Sequence, residues 1–356
     1  MIREAIAGRH VLIVGGGIAG LAAALELRSR DTECRITIAE STSRLGGKIA
    51  GETVDGCVID GGADVCIGAK LRATELFRAL ELADQVVLVN QRQLPTFESR
   101  GGVLAKMPTT FTGELLTFRG GMQELVALST AGLFDVQTLL NTQIVALAHR
   151  HGRWLGTDAT GATLVADAVI IATPARAASA LLRSISVEHA VALDALAYPP
   201  TTTVSIGWSE ADVPTRLEGT GYLVAERDGA VTACTWTSSK NPSHAATGVV
   251  LLRGYLRGMP ADPVSAVRDE VAGTLGIVAN PLFTRVYQWP EGIPVYTREH
   301  ENVVRTITDE LRDVPGVFLA GSAFNGVGIP DCIHSGERAA LSAERYLAQS
   351  KTGEAA

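Results

Sequence analysis

The chain has no concentration of basic charge. Its 31 lysines and arginines are scattered and outnumbered by 38 aspartates and glutamates, giving a net charge of −7. Nucleic-acid binding would call for clustered cations and a basic pI, so that class is excluded. Cysteine is sparse: Cys34, Cys57, Cys66, Cys234 and Cys332 are odd in number, far apart and without a C-x-x-C pair. Neither a disulfide framework nor a zinc site organises this fold, and a reducing compartment is the default. The uncharged run Val11–Leu25 is only 15 residues long and holds four glycines, too short for a membrane span. Met1–His10 includes Glu4 and does not read as a signal peptide. No amphipathic basic helix marks a membrane surface, so a cytoplasmic protein is expected, with peripheral membrane contact left open. Internal repeats and low-complexity linkers are also missing.

What remains is a globular composition, 46% hydrophobic and 19% charged over 356 residues, a length that suggests about two domains. The strand Val11–Val14 turns through glycines into an Ala/Leu helix that ends near Arg28, and Arg35–Ala39 follows as a second strand. Further strands are expected at Gln143–Ala148, Val169–Ala172, Thr202–Trp208, Tyr222–Ala225, Val249–Leu256 and Val317–Ala320. Helices are expected at Leu71–Leu82, Met122–Ser129, Ala175–Leu182, Pro263–Leu275 and Pro330–Ala348. Mixed helices and strands at both ends surround a strand-rich middle, Pro199–Tyr296. That pattern predicts an α/β fold: a doubly wound nucleotide domain built from discontinuous segments, with a second domain inserted into it. The final "QSKTGEAA" reads as a disordered tail.

Gly15, Gly17 and Gly20 form G-x-G-x-x-G between a strand and a helix. The first permits the tight turn, the second lets a pyrophosphate approach the helix N-terminus, and the third allows close helix–strand packing. Glu40 follows Gly20 by twenty residues at the next strand end, where a carboxylate would hold a ribose hydroxyl. In "ESTSRLGGK" the pair Gly46–Gly47, flanked by Arg44 and Lys48, offers a second backbone approach to phosphate. Near the C-terminus, "FNGVGIPDCIHSGERAA" places Gly326, Gly328 and Pro330 ahead of a helix. Pro330 suits a first turn, and Ile333, Gly336, Ala340, Ala343 and Leu347 form a narrow small-residue stripe behind it. The open N–H groups of such a helix start favour a flat ring that gathers negative charge on reduction.

"ESTSRLGGK", "ADAVIIATP" and "PGVFLAGSAFNGVGIP" resemble the glycine, mid-chain and C-terminal motifs of the flavin amine oxidase superfamily. More narrowly, "GVGIPDCI", "GGGIAGLAAA", "RLGGKI", "TFRGGMQELV", "TWTSSKNPSHA" and "QWPEGIPVYTREH" resemble the protoporphyrinogen and coproporphyrinogen oxidases over nearly the whole chain. The resemblance implies FAD, held in a Rossmann-like domain of residues 1–66, 115–198 and 298–350. A shortened α+β substrate domain of residues 67–114 and 199–297 is inserted, and 351–356 form a flexible tail. It carries flavin contacts onto Gly15, Gly16, Gly17, Ile18, Ala19, Gly20, Glu40, Ser41, Arg44, Gly47, Lys48, the turn Gly62, Ala63 and Asp64, Ile144, Trp289, Ser322, Val327, Gly328 and Ile329. Tyr296 would line the same neighbourhood. The implied activity removes hydride from a porphyrinogen to flavin N5, with molecular oxygen as acceptor, in heme biosynthesis. No catalytic side chain is required and no metal is implied. A tetrapyrrole with propionates would want cations, for which Lys70, Arg253 and Arg257 are candidates; His244 is a loop histidine without an assigned role.

Two departures from the family's pattern bear on substrate. "GADVC" (Gly62–Cys66) stands where the family has GPD followed by Ser-Phe, which puts a small side chain in place of Phe. Between Gly101–Thr110 and Leu115–Gly121 only Phe111–Glu114 remain, where the family carries a long helical segment over the substrate cavity. The flavin face is therefore expected to be open, or roofed by a second subunit in a homo-oligomer. Two alternatives stay open: a same-scaffold FAD oxidase or desaturase acting on another small molecule in secondary metabolism, and a non-catalytic flavoprotein.

Overall fold

A computed structural model describes residues 9–90, 94–108, 113–226 and 229–353. Its centre is a five-stranded sheet in the spatial order Val136–Leu139, Arg35–Ala39, His10–Val14, Ala168–Ile171, Val317–Leu319, with every neighbouring pair parallel. Strands buried on both faces read as continuous apolar runs. Here successive residues divide between two cores. Val11, Ile13, Ile36, Ile38 and Ile170 face the helices Ile18–Arg30 and Ile329–Gly353. Leu12, Val14, Val169 and Ile171 face the antiparallel meander Ile144–Arg150, Arg153–Asp158, Thr163–Ala166 and the helix Ala175–Arg183.

The second domain is a seven-stranded sheet in the order Phe283–Trp289, Thr201–Ser209, Val249–Arg257, Val231–Trp236, Gly221–Val224, Thr96–Arg100, Val103–Lys106. The helix Pro263–Leu275 covers it through Val267 and Val271. That helix starts on Asp262, whose carboxylate accepts from the Ser265 N–H, and ends on Gly276 at φ +70, a capped start and a left-handed stop.

Three sequence expectations change. The helix expected over Leu71–Leu82 is broken into Gly68–Arg72, Glu75–Ala79 and a 3-10 turn Leu82–Asp84. Thr74 causes the break: its hydroxyl donates to the Leu71 carbonyl and accepts from the Phe77 N–H, so it caps a new helix instead of continuing the old one. The boundary placed at residue 67 does not follow the packing, because Leu71, Leu76, Phe77 and Leu82 lie in the core of the parallel-sheet domain. From that early insertion, the strands of 96–106 enter the seven-stranded sheet. The C-terminal helix runs to Gly353, so the expected tail is helical that far, and residues 354–356 lie outside the described ones. Residues 109–112, within the shortened joint, are also outside them. Among the described residues no helix is long and apolar enough to cross a membrane.

The first and last helices pack closely because glycines remove the side chains between them. A Cβ on Gly336 would stand 2.1 Å from the Ala19 carbonyl oxygen. The expected stripe is buried, with Ile333, Ala340 and Ala343 at 0% exposure. In an unhindered helix Gly→Ala stabilises by about 1 kcal/mol. Here the methyl meets backbone that cannot yield, so Gly336→Ala is expected to destabilise by about 1–3 kcal/mol. A thermal melt showing an unchanged or higher Tm would refute this packing.

Candidate functional site

The first glycine loop divides its labour by position. Gly15 has φ +107, and a Cβ there would lie 2.6 Å from the Ala172 carbonyl oxygen; one on Gly20 would lie 2.0 Å from the Gly15 carbonyl oxygen. Both are required by the fold itself. Gly17 is different: nothing lies within 4 Å of its Cβ position. It is the N-cap of the Ile18–Arg30 helix, with no side-chain cap and no acidic residue in the first turn. Gly17 therefore leaves room in front of a helix start whose N–H groups no side chain caps, while Ile18 and Ala19 are buried behind it, the arrangement that binds phosphate.

The second glycine motif docks on the first. Gly46 donates to the Gly16 carbonyl at 2.8 Å, and a Gly17–Gly46 bridge joins the two loops. Gly46 and Gly47 have φ +98 and +56. Arg44 closes this turn with hydrogen bonds to the Leu45, Gly47 and Ile49 carbonyls, so its guanidinium braces the backbone. Glu40 is buried at the strand end. One oxygen accepts from the Gly16 N–H at 2.7 Å, and the other accepts from the Thr42 N–H and hydroxyl and from Ser41. Thr142 N–H donates to the Glu40 carbonyl, which places the buried Ile144 on the neighbouring strand. The two glycine loops, Glu40 and the start of the Ile144 strand thus form one continuous cradle.

Beyond Gly47 the cradle reaches the second domain. Lys48 donates to the Gly292 carbonyl and lies over the Tyr198 ring at 4.5 Å; burial lowers its pKa. A Cβ on Gly62 would strike the Lys48 carbonyl oxygen at 1.9 Å. Trp289 donates to the Gly61 carbonyl at 2.9 Å and so packs beside Gly62. On the other side Gly321 sits close to Ala19, and Ser335 on the last helix accepts from the Gly321 N–H at 3.0 Å. Tyr296 donates to the Ser322 carbonyl, accepts from the Gly326 N–H and stacks on His300. It thereby fixes the loop that leads to the exposed Val327, to Gly328 and to Ile329 at the helix start. Cys332 is a buried filler, its thiol pushed up to about 12 by burial.

The substrate candidates separate. Lys70 is exposed and pairs with Asp331 at 2.8 Å across a cavity of about 310 Å³, which Asn325, His334 and Arg338 also line. Arg253 is corrected: it is 3% exposed, hydrogen-bonded to the Gly62 carbonyl and turned inward. On the strand Val249–Arg257 its alternation points it to the domain junction, which a single sequence does not reveal. His244 is likewise internal, bonded to the Phe118 carbonyl at 2.8 Å. Sequence reasoning missed Asp60, Tyr198, Thr203 and Lys240. Lys240 lies inside "TWTSSKNPSHA", where only the run as a whole carried a signal.

Asp60 accepts from the Met122 N–H at 2.7 Å, with the His244 ring 3.9 Å away. Burial pushes its carboxyl up to about 7, against the opposing pull of Arg253. An unfolded Asp has a pKa of about 3.9. The folded state therefore binds the extra proton between about pH 4 and 7, and this residue's contribution to stability is lost as pH rises through that window. Asp60→Asn keeps an oxygen for Met122 and removes the proton. The variant is expected to show a flatter dependence of Tm on pH between 5 and 8; a slope equal to the wild type's would refute the assignment.

Comparison with known proteins agrees with this architecture. Residues 107–341 match the flavin containing amine oxidoreductase family, and residues 13–80 match the NAD(P)-binding Rossmann-like domain. The chain is similar to the coproporphyrinogen III oxidase of Bacillus subtilis, 26% identical over 467 positions covering 95% of this chain and 98% of that one. It is 33% identical to the coproporphyrinogen III oxidase of Propionibacterium freudenreichii over 63% of this chain, which spans 44% of that protein. Among solved structures, a protein of Exiguobacterium sp. 255-15 provisionally named protoporphyrinogen oxidase superposes with a TM-score of 0.85 at 22% identity, over 96% of this chain and 100% of that one. The chain thus belongs to the flavin containing amine oxidoreductase family as an FAD-dependent oxidoreductase.

Proposed function

We propose that the chain dehydrogenates a porphyrinogen, with molecular oxygen as the final electron acceptor. The observation that carries this reading is the cavity beside the last helix start, lined by Lys70, which pairs with Asp331, and by His334 and Arg338. The Lys70 ammonium and the Arg338 guanidinium there suit a substrate that presents carboxylates, as a tetrapyrrole with propionate arms does. The relatives named coproporphyrinogen III oxidase support the same class.

FAD, when bound, supplies the hydride acceptor at N5 and hands the electrons on to oxygen. The protein's share is placement. Gly15–Gly20 and Gly46–Lys48 offer backbone to the pyrophosphate, and Glu40 lies where a ribose would reach it. The Gly62–Asp64 turn, Trp289 and the Val327–Ile329 helix start enclose the place of the ring. Ser322 and Tyr296 hold that helix start from behind. No side chain in this set is asked to act as an acid or a base.

A second substrate, another small molecule on the same scaffold, is favoured by one fact. The alignment with the Bacillus subtilis protein has 467 positions against 356 residues here, so at least 111 have no counterpart in this chain. A shorter roof admits other molecules to the same face.

Coproporphyrinogen III or protoporphyrinogen, added without oxygen, is expected to bleach the bound flavin within seconds. Bleaching by neither, with reduction by an amine or a cyclic small molecule, would establish the second reading. The cradle has its own test. Because Gly17 faces open space, Gly17→Val is expected to leave the Tm of the FAD-free chain within about 0.5 kcal/mol equivalent. The same change should weaken FAD binding by tenfold or more in a fluorescence titration. Equal FAD affinity in the two proteins would move the pyrophosphate elsewhere.

A further inference from the structure

The Gly61–Asp64 turn belongs to the parallel-sheet domain's chain, yet side chains of the seven-stranded sheet and of the short helix Thr237–Lys240 beside it grip it. Thr203 donates to the Gly61 carbonyl at 2.8 Å, and Trp289 donates to the same oxygen at 2.9 Å. Arg253 donates through Nη2 to the Gly62 carbonyl. Lys240 donates to Asp64 Oδ2 at 3.0 Å, and the Tyr255 hydroxyl donates to the same oxygen at 3.3 Å. Two cations, both almost fully buried, thus converge on one aspartate. Such charges are costly to bury unless something repays their desolvation.

The pairing within the set is incomplete. Arg253 Nη1 lies 4.0 Å from Asp64 Oδ1, an ion-pair separation and not a hydrogen bond. Nη1 and Nε have no hydrogen-bond partner, although Arg253 is 3% exposed. Buried donors are normally satisfied, so an orphaned guanidinium edge marks a place where a further acceptor or negative charge belongs. Burial alone would raise the Asp64 carboxyl, but Lys240 and Arg253 overcome it and hold it at about 2. Burial likewise disfavours the Lys240 ammonium, and Asp64 outweighs that and raises its pKa. Lys240 and Arg253 stay charged, facing the ionised Asp64 and the Asp60 carboxyl, with His244 kept neutral by burial.

We propose that Lys240, Arg253 and Asp64 are positioning residues that hold the Gly61–Asp64 turn against the flavin and, through the surplus of cations, favour its reduced form. The inference rests on the reading that this turn meets the flavin ring. Uptake of a hydride from the substrate's C–H bond adds two electrons and one proton to the cofactor, which becomes more negative by one charge. A fixed positive surplus in a water-poor junction stabilises that product more than the oxidised form. Placing the charges on the second domain also makes the cofactor's electron affinity depend on correct docking of the two domains.

The test is the reduction potential of bound FAD, measured against a reference dye in the full chain. Lys240→Met is expected to make reduction less favourable by about tenfold, or about 30 mV for a two-electron couple. Asp64→Asn removes one negative charge from the set, leaving the Asp60 carboxyl as the counter-charge of the two cations, and is expected to shift the potential in the opposite direction. Lys240→Arg, which keeps the charge, should stay within threefold of the wild type. Simple loosening of the turn would move the first two variants the same way, and that result, or no movement in either, overturns the proposal. If Lys240→Met is recovered unfolded, Asp64→Asn decides alone, since only an upward shift supports the charge argument. A wild-type chain that takes up no FAD would instead sink the reading of the site itself. A wild type that binds FAD while the variants fail the sign test leaves that reading intact.

Discussion

Close approach of backbone to backbone is what the rest of the structure depends on. Gly20 lets the first helix come onto the Gly15 loop, and Gly336 lets the last helix come onto Ala19 from the other side. Protein interiors are packed like crystals, so an added methyl at either point displaces a whole helix. Everything assigned to the cofactor hangs from this three-part stack. The first loop fixes the helix start, and the second loop pairs with the first through Gly46 and Gly16. The last helix brings Ser335 to Gly321 and so sets the loop before its own N-terminus. Large side chains would have given more buried area but no common site. The small ones let three segments, from the two ends of the chain, meet within reach of one ligand.

The junction between the domains obeys the opposite logic. There the contacts are polar and charged: Arg253, Lys240, Asp64, Asp60, His244 and the Gly61 and Gly62 carbonyls. Hydrophobic burial tolerates small slips, whereas hydrogen bonds with fixed partners do not. A polar junction therefore specifies orientation, and orientation is what a site between two sheets requires. An apolar satellite cluster of Val54, Cys57, Ile59, Leu251 and Phe283 lies between the antiparallel pair Gly51–Val54/Cys57–Asp60 and the second sheet.

How much of this could be read from residues alone follows the range of the forces involved. Gly15, Gly17, Gly20 and the stripe from Ile333 to Leu347 were legible because their geometry is local and their spacing is the signal. The parallel sheet followed from strand and helix alternation. The break at Thr74 was not legible, since Thr is tolerated within helices, and its hydroxyl chose the cap only in the folded context. Arg253, a candidate partner for substrate carboxylates, is instead buried, because burial of a charged side chain depends on partners distant in the chain, here Gly62 and Asp64. Lys240 and Asp60 escaped for the same reason. The cradle was visible in sequence, and the charge set behind it was not.

The pairing of Gly221–Val224 with Thr96–Arg100 joins strands about 125 residues apart, and among the described residues it is the one parallel pair in the second sheet. The hairpin 96–106 emerges from the ribosome long before the strands it must meet. It therefore remains an unpaired edge while more than a hundred residues are made. The parallel sheet is also unfinished until Val317–Leu319 and the last helix arrive. The strands of the seven-stranded sheet are all made by Trp289, so that sheet can pair before the parallel one is finished. The order of assembly is consequently sequential: the second sheet can close first, and the parallel sheet closes when the segment from Val317 onward packs onto it.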